Sequence, residues 1–164
     1  MELSRPAAKL DLALLDAEVK DVDRTNALTV FTNAGIPPEV TFRLTGLWET
    51  TRIVGGKTVQ IGKIIILQII KFIRENPHLT IGIALGAAIG ALTSLIPFIG
   101  PLLTPLVTVI GLVIGGVGGR RMDRGEEIGT GIIGLTQEII DIAKKFFELF
   151  AAIFNALRAD FQAN

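Results

Sequence analysis

Residues 76–119 read NPHLTIGIALGAAIGALTSLIPFIGPLLTPLVTVIGLVIGGVGG, 44 consecutive positions between Glu75 and Arg120 without one charged side chain. A helix needs about 20 apolar residues to cross the hydrocarbon of a bilayer, so a run of this length holds two crossings and a turn. Pro97, Pro101 and Pro105, spaced four apart, place the turn. Asn76 followed by Pro77 has the form of an N-cap with proline at the first helical position, which predicts a first helix over 77–96. Its 20 residues, at about 1.5 Å each, measure about 30 Å, the thickness of the hydrocarbon layer. Pro97 ends that helix, because a residue preceding proline is pushed out of the helical region. A second helix starts either at Pro101, giving 19 residues to Gly119, or at Pro105 behind a Thr104 cap, giving 15. The prolines convert one overlong apolar run into an antiparallel hairpin. Each also removes a backbone donor that a buried turn would leave unsatisfied.

The rest of the composition bounds the function. Sixteen basic and sixteen acidic residues cancel, so no global charge draws this chain of 164 residues to nucleic acid. The chain has no cysteine, which excludes disulfides and thiolate chemistry. The first residues, MELSRPAAKLDLALLDAE, carry charges every few positions and hold no apolar core of a signal peptide, so membrane insertion must rely on the internal run. Basic residues flank that run on both sides: Lys63, Lys71 and Arg74 before it, Arg120, Arg121 and Arg124 after it. With no charge in the turn, the positive-inside rule places both termini in the cytoplasm of a membrane-bound chain.

Glycines mark the faces of the two helices. Gly82, Gly86 and Gly90 recur every four residues in the first, and Gly111, Gly115 and Gly119 in the second. A glycine inside a helix costs about 1 kcal/mol against alanine, so six in register point to close packing of backbones. On these residues the segment 82–119 resembles the glycine-zipper membrane proteins, which include self-associating channels and pore-forming toxins. That resemblance implies a homo-oligomer packed through the six glycines. The spacing of Pro97, Pro101 and Pro105 also resembles the proline knot of oleosin-type monotopic hairpins, although the arms are shorter here and the serine of that knot is missing.

The flanks read as amphipathic helices. In IGKIIILQIIKFIR, residues 61–74, Lys63, Gln68, Lys71 and Arg74 stand against isoleucines, which suits a basic helix in the membrane interface or, equally, a core helix with a solvated stripe. The C-terminal helix is expected over 130–161 with two apolar seams. One is Ile132, Leu135, Ile139, Ile142, Phe146, Leu149 and Ile153; the other is Ile140, Ala143, Phe147, Phe150, Phe154, Leu157 and Phe161. Together they are too broad for a two-stranded coiled coil and call for several helical neighbours or a membrane surface. Residues 1–58 read as a small soluble helical cap. Leu12, Leu15, Val19 and Val22 mark one of its helices, Val40, Leu44, Leu47 and Trp48 another, and 27–33 is ambiguous between helix and strand. Gly55-Gly56 reads as a hinge. The segments are therefore a cap over 1–58, a basic interfacial helix over 59–75, the hairpin over 76–124 and an amphipathic helix over 125–164.

Residues fit for chemistry are sparse. VGGKT at 54–58 resembles the end of a phosphate-binding loop, but Thr51 stands where its first glycine belongs. His78 is the only histidine and has no metal-binding company. Glu126-Glu127 suits a helix start, Trp48 a small core, and no nucleophile lies near a base at a known spacing. The expectation is a non-enzymatic, all-α membrane protein without metal or cofactor, an antiparallel apolar hairpin flanked by amphipathic helices. Its partners are the lipid bilayer, further copies of itself, and a protein that meets the cap or the C-terminal helix. Its assembly forms a pore or a scaffold. The competing expectation is a soluble helical bundle that shelters the hairpin and inserts on a trigger, as colicin-like pore domains do.

Overall fold

The computed structural model of the chain describes residues 2–113 and 136–161. Helix α1, Arg5–Val19, starts behind Ser4, whose hydroxyl accepts from the Ala7 N–H at 3.3 Å. Helix α2, Arg24–Asn33, is capped in the same way by Asp23, and α3, Pro38–Trp48, begins on proline, where the missing N–H costs nothing. Strands β1, Arg52–Val54, and β2, Lys57–Val59, pair antiparallel with Ile53 opposite Thr58. Helices α4, Ile61–Glu75, and α5, Ile81–Leu95, follow. A 3-10 turn, Pro97–Ile99, then leads into α6, Gly100–Val113. Helices α7, Gln137–Phe146, and α8, Glu148–Ala156, are followed by a 3-10 turn, Arg158–Asp160, after which Phe161 bridges to Val54. The protein is thus mostly helical, as expected, with one short hairpin of strands among the described residues.

Helix α4 is the centre of the bundle. Ile61, Ile64, Ile65, Ile66, Ile69 and Phe72 are fully buried. Three successive buried isoleucines sweep about 200° of a helix, more than one face supplies, so α4 must be covered from several directions. Helices α1, α3 and α5 provide that cover. Only a stripe through Lys63, Leu67, Gln68, Lys71, Arg74 and Glu75 stays at or near the surface. Of the two readings the sequence allows for 61–74, the core helix with a solvated stripe is the one that describes this packing. Helices α1–α3 join the same hydrophobic core as the hairpin, α3 packing on α6 and α1 on α8.

Several boundaries differ from expectation. The first arm of the hairpin begins at Ile81 and not at Pro77, because the Thr80 hydroxyl caps it by accepting from Ile83 N–H, while the Asn76 side chain turns back to donate to Phe72 O at 2.9 Å. Asn76 therefore closes α4 instead of opening α5. The second arm starts at Gly100, close to the Pro101 option, and Pro105 lies inside it. The axes of the two arms are bent by 117°, so they double back without becoming antiparallel. Gly55 and Gly56, at φ of +59° and +84°, form the tight turn between β1 and β2, where a two-residue loop needs positive φ at both positions; they are not a hinge. Residues 27–33 are helical, within α2. The C-terminal segment is broken at Phe147 rather than continuous, and its expected start at 130–135 lies outside the described residues.

One glycine outside the two strips sits against backbone with no room for a side chain. Gly62, in the first turn of α4, donates its N–H to Thr50 O at 3.0 Å, and a Cβ built on it would lie 1.7 Å from Leu47 O. Both obstacles are backbone, so neither can rotate away. Gly90 is the opposite case, a mid-helix glycine with open space where a Cβ would go. Gly62→Ala should lower stability by at least about 2 kcal/mol through overpacking. Gly90→Ala should raise it by up to about 1 kcal/mol through helix propensity. Chemical denaturation of the two variants beside the parent reads both, and equal stabilities would refute the packing of α3 on α4.

Candidate functional site: the sheltered hairpin

Helix α5 carries no charged residue, and its six successive positions Ala84, Leu85, Gly86, Ala87, Ala88 and Ile89 are all buried. At 100° per residue they complete more than a full turn, so this part of the helix has no solvent face. Helices α4, α6, α7 and α8 surround it. Helix α6 is half covered: Leu103, Leu106 and Ile110 are buried, whereas Pro101, Thr104, Pro105, Val107 and Thr108 face outward. The modest polar groups of this arm thus lie on its outer side. No buried polar or charged residue occurs among the described residues.

The arms are short. Fifteen residues in α5 and fourteen in α6 measure about 22 and 21 Å, against about 30 Å of hydrocarbon. Among the described residues no single helix is long and apolar enough to cross a membrane, although Ile81–Leu95 and Pro97–Ile110 qualify as a bent pair.

The glycine strip of α5 divides among three environments. Gly86 is buried, Gly82 is half-buried and Gly90 is exposed. Gly111 belongs to α6, while Gly115 and Gly119 lie outside the described residues, as do Arg120, Arg121, Arg124 and the pair Glu126-Glu127. Of the flanking basic groups before the hairpin, Lys71 pairs with Glu18 at 2.8 Å and Lys63 stands over the Trp48 ring at 5.5 Å; Arg74 is exposed in the last turn of α4. Trp48 itself is buried, and His78 is exposed in the turn between α4 and α5.

A set of contacts at the hairpin tip has no counterpart in the sequence reading. Asn155 Nδ2, on α8, donates to Leu95 O at 3.0 Å and so satisfies a carbonyl at the end of α5. Phe98, in the tip, meets Phe161 edge-on at 5.0 Å, and Phe161 also touches Phe154 at 5.6 Å. Pro97 and Pro101 are exposed on either side of this contact, while Ile96 and Ile99 are buried beneath it. The segment 155–161 is itself anchored. Gly55 N–H donates to Asp160 O at 2.9 Å, Val54 bridges Phe161, and the Arg5 guanidinium grips both carboxylate oxygens of Asp160, at 2.5 and 3.3 Å. The Asp160 side chain is only 10% exposed, which favours this two-pronged pair over an open surface ion pair. The C-terminal segment thus straps the hairpin tip to α1 and the β-hairpin.

The aromatic seam of the C-terminal helices also sorts itself. Ala143, Phe147, Phe150, Phe154 and Leu157 are buried, whereas Ile142 and Leu149 of the other seam are 39% and 52% exposed. Phe72 of α4 packs between Phe146 and Phe147, at 5.3 and 5.6 Å. The described residues contain no group of three His, Cys, Asp or Glu placed to hold a metal ion. Comparison with protein-family models, with curated proteins and with solved structures finds no match to this chain.

Loss of the strap should open the tip before the bundle. Asn155→Ala removes one hydrogen bond, worth about 1 kcal/mol, and Phe161→Ala removes a half-buried ring worth about 2 kcal/mol. Native-state hydrogen exchange should then quicken at the Ile99 amide, which bonds to Ile96 O at 3.1 Å, and stay slow in α4. Uniform quickening in both places would mean that the strap is simply part of the global fold.

Proposed function

We propose that the protein is a non-enzymatic, membrane-active helical bundle that stores its apolar hairpin inside a shell of amphipathic helices and delivers it to a bilayer. The observation that carries this reading is the burial of α5 through a complete turn. A helix without a polar face must lie either in a protein core or in lipid, and α7 and α8, which cover part of α5, each turn one apolar face to it. The hairpin is held at its tip by the Asn155–Leu95 hydrogen bond and the Phe98–Phe161 contact, which a membrane could replace. In lipid, where no hydrophobic effect joins apolar helices, Gly82, Gly86 and Gly90 offer a smooth face for a second copy or for the other arm.

A permanent membrane hairpin that self-associates through the same glycines, with both termini in the cytoplasm, is the second reading. What favours it is Gly90, exposed with nothing within 4 Å of its Cβ position, where packing inside the bundle gives no reason for glycine.

Gly90 also offers the test. A cysteine there has open space at its Cβ and lies on an exposed position, so it can carry a polarity-sensitive dye on the surface of the bundle. In the sheltered reading the labelled protein is dispersed in water without detergent, its dye reports water, and added vesicles shift the dye to an apolar setting. Vesicles should also make Phe161→Ala respond faster than the parent. A dye that stays in water with every vesicle tried sinks the sheltered reading. A chain that from synthesis stays in the membrane pellet after a carbonate wash establishes the permanent hairpin in its place.

A further inference from the structure

Helix α1, the β1–β2 turn and Leu157 enclose a surface cleft of about 510 Å³, within the size range of ligand sites. Its base is apolar, with Leu12, Val54, Val59 and Leu157 all buried. Its rim is cationic. Lys9, on α1, and Lys20, the residue that caps its C-terminus, stand about three helical turns apart, and Lys57 is contributed by β2. One carboxylate, Asp16, lies in the lining, and its Oδ1 already accepts the Gln60 N–H at 2.8 Å. Three lysines against one carboxylate leave a net charge of +2, and among the described residues none of the three makes an ion pair.

We propose that this cleft binds the headgroup of an anionic lipid, a phosphodiester joined to glycerol as in phosphatidylglycerol. The inference rests on the sheltered-hairpin reading and names the lipid that reading leaves open. Cations beside an apolar lining, with Ala13 and Ala17 exposed within it, match a ligand whose charged phosphate continues into carbon. The cleft also touches the strap at its anchor: Val54 bridges Phe161, Gly55 donates to Asp160, and Leu157 precedes the last 3-10 turn. A headgroup seated there meets the residues that hold the hairpin tip closed.

Co-sedimentation of the full chain with phosphatidylcholine vesicles, with and without phosphatidylglycerol, tests the site. Binding should require the anionic lipid. Lys9→Gln, Lys20→Gln and Lys57→Gln should each weaken it about five-fold, and the triple variant about a hundred-fold, as expected for lysines at an anionic surface. Lys144→Gln with Lys145→Gln, on α7 and outside the cleft, should weaken it far less. All three cleft lysines are exposed, so the thermal midpoint of the triple variant should match the parent. The proposal is overturned if the triple variant binds like the parent, if the α7 pair matters as much, or if inorganic phosphate displaces the protein from the vesicles. The Gly90→Cys dye separates this proposal from the reading it rests on. Bound protein whose dye never leaves water refutes the sheltered hairpin and leaves the cleft standing; a triple variant that no longer needs phosphatidylglycerol to insert refutes the cleft alone.

Discussion

The constraint on which this structure depends is that α5 has nothing to offer water. Ala84 to Ile89 are buried in every direction, and α4, with Ile64 to Ile66 in one sweep, is nearly as demanding. Two helices that need cover all round cannot satisfy each other, since each hides only one side of its neighbour. The surplus is met by helices that have one apolar face: α1 and α3 on α4, α7 and α8 on α5. Charged groups are left at the surface, and those on the stripe of α4 are used locally, Lys71 on Glu18 and Lys63 over Trp48.

The small residues of α5 serve this arrangement in a way that explains why the run is ambiguous. Ala84, Gly86, Ala87, Ala88 and Ala91 are all buried and let neighbouring helices approach closely. In a water-exposed chain such packing is driven by removal of apolar surface from water, at about 25 cal/mol per Å². In lipid that drive disappears, and only dispersion and close fit remain. The same residues therefore suit both settings, and the apolar surface covered by the shell is the surface a bilayer would cover equally well. On the proposed reading, the free energy separating a stored from an inserted hairpin would be a difference between two favourable burials, and the contacts at the tip would add to the stored side.

The local pattern was legible to different depths along the chain. The helix presenting Val40, Leu44, Leu47 and Trp48 appears as α3 with those four residues buried, because a 3.6-residue period survives any tertiary context. Gly55-Gly56 carried a readable hairpin signal between RIV and KTV, but the strands are only three residues long and give little alternation to support it. Asn76-Pro77 points to the start of α5 because a cap residue between two helices can serve either; the nearby Thr80 hydroxyl takes that role and leaves Asn76 to close α4. Gly62 left no periodic trace, since its role is a single backbone contact with α3. The strap was beyond local reading altogether. Asn155 meets Leu95, and Asp160 meets Arg5, across sequence separations of 60 and 155 residues that no spacing rule connects.

The three prolines also acquire separate roles. Pro97 opens the 3-10 turn, Pro101 lies in the first turn of α6, and Pro105 sits within that helix, where its missing N–H leaves the carbonyl of Pro101 without its regular partner. Pro101 and Pro105 are both exposed, so water can reach that carbonyl, and Thr104 meanwhile turns its hydroxyl to Gly100 O at 3.0 Å. The start of α6 is therefore tolerable only where water or another donor is at hand. Within hydrocarbon the same carbonyl would cost several kcal/mol. A hairpin that moved into lipid would satisfy that carbonyl most simply with its tip in the headgroup layer, which arms of about 22 and 21 Å allow if they enter at a tilt or leave part of the bilayer uncrossed. On the proposed reading, the proline spacing would thus limit how deep the tip could go.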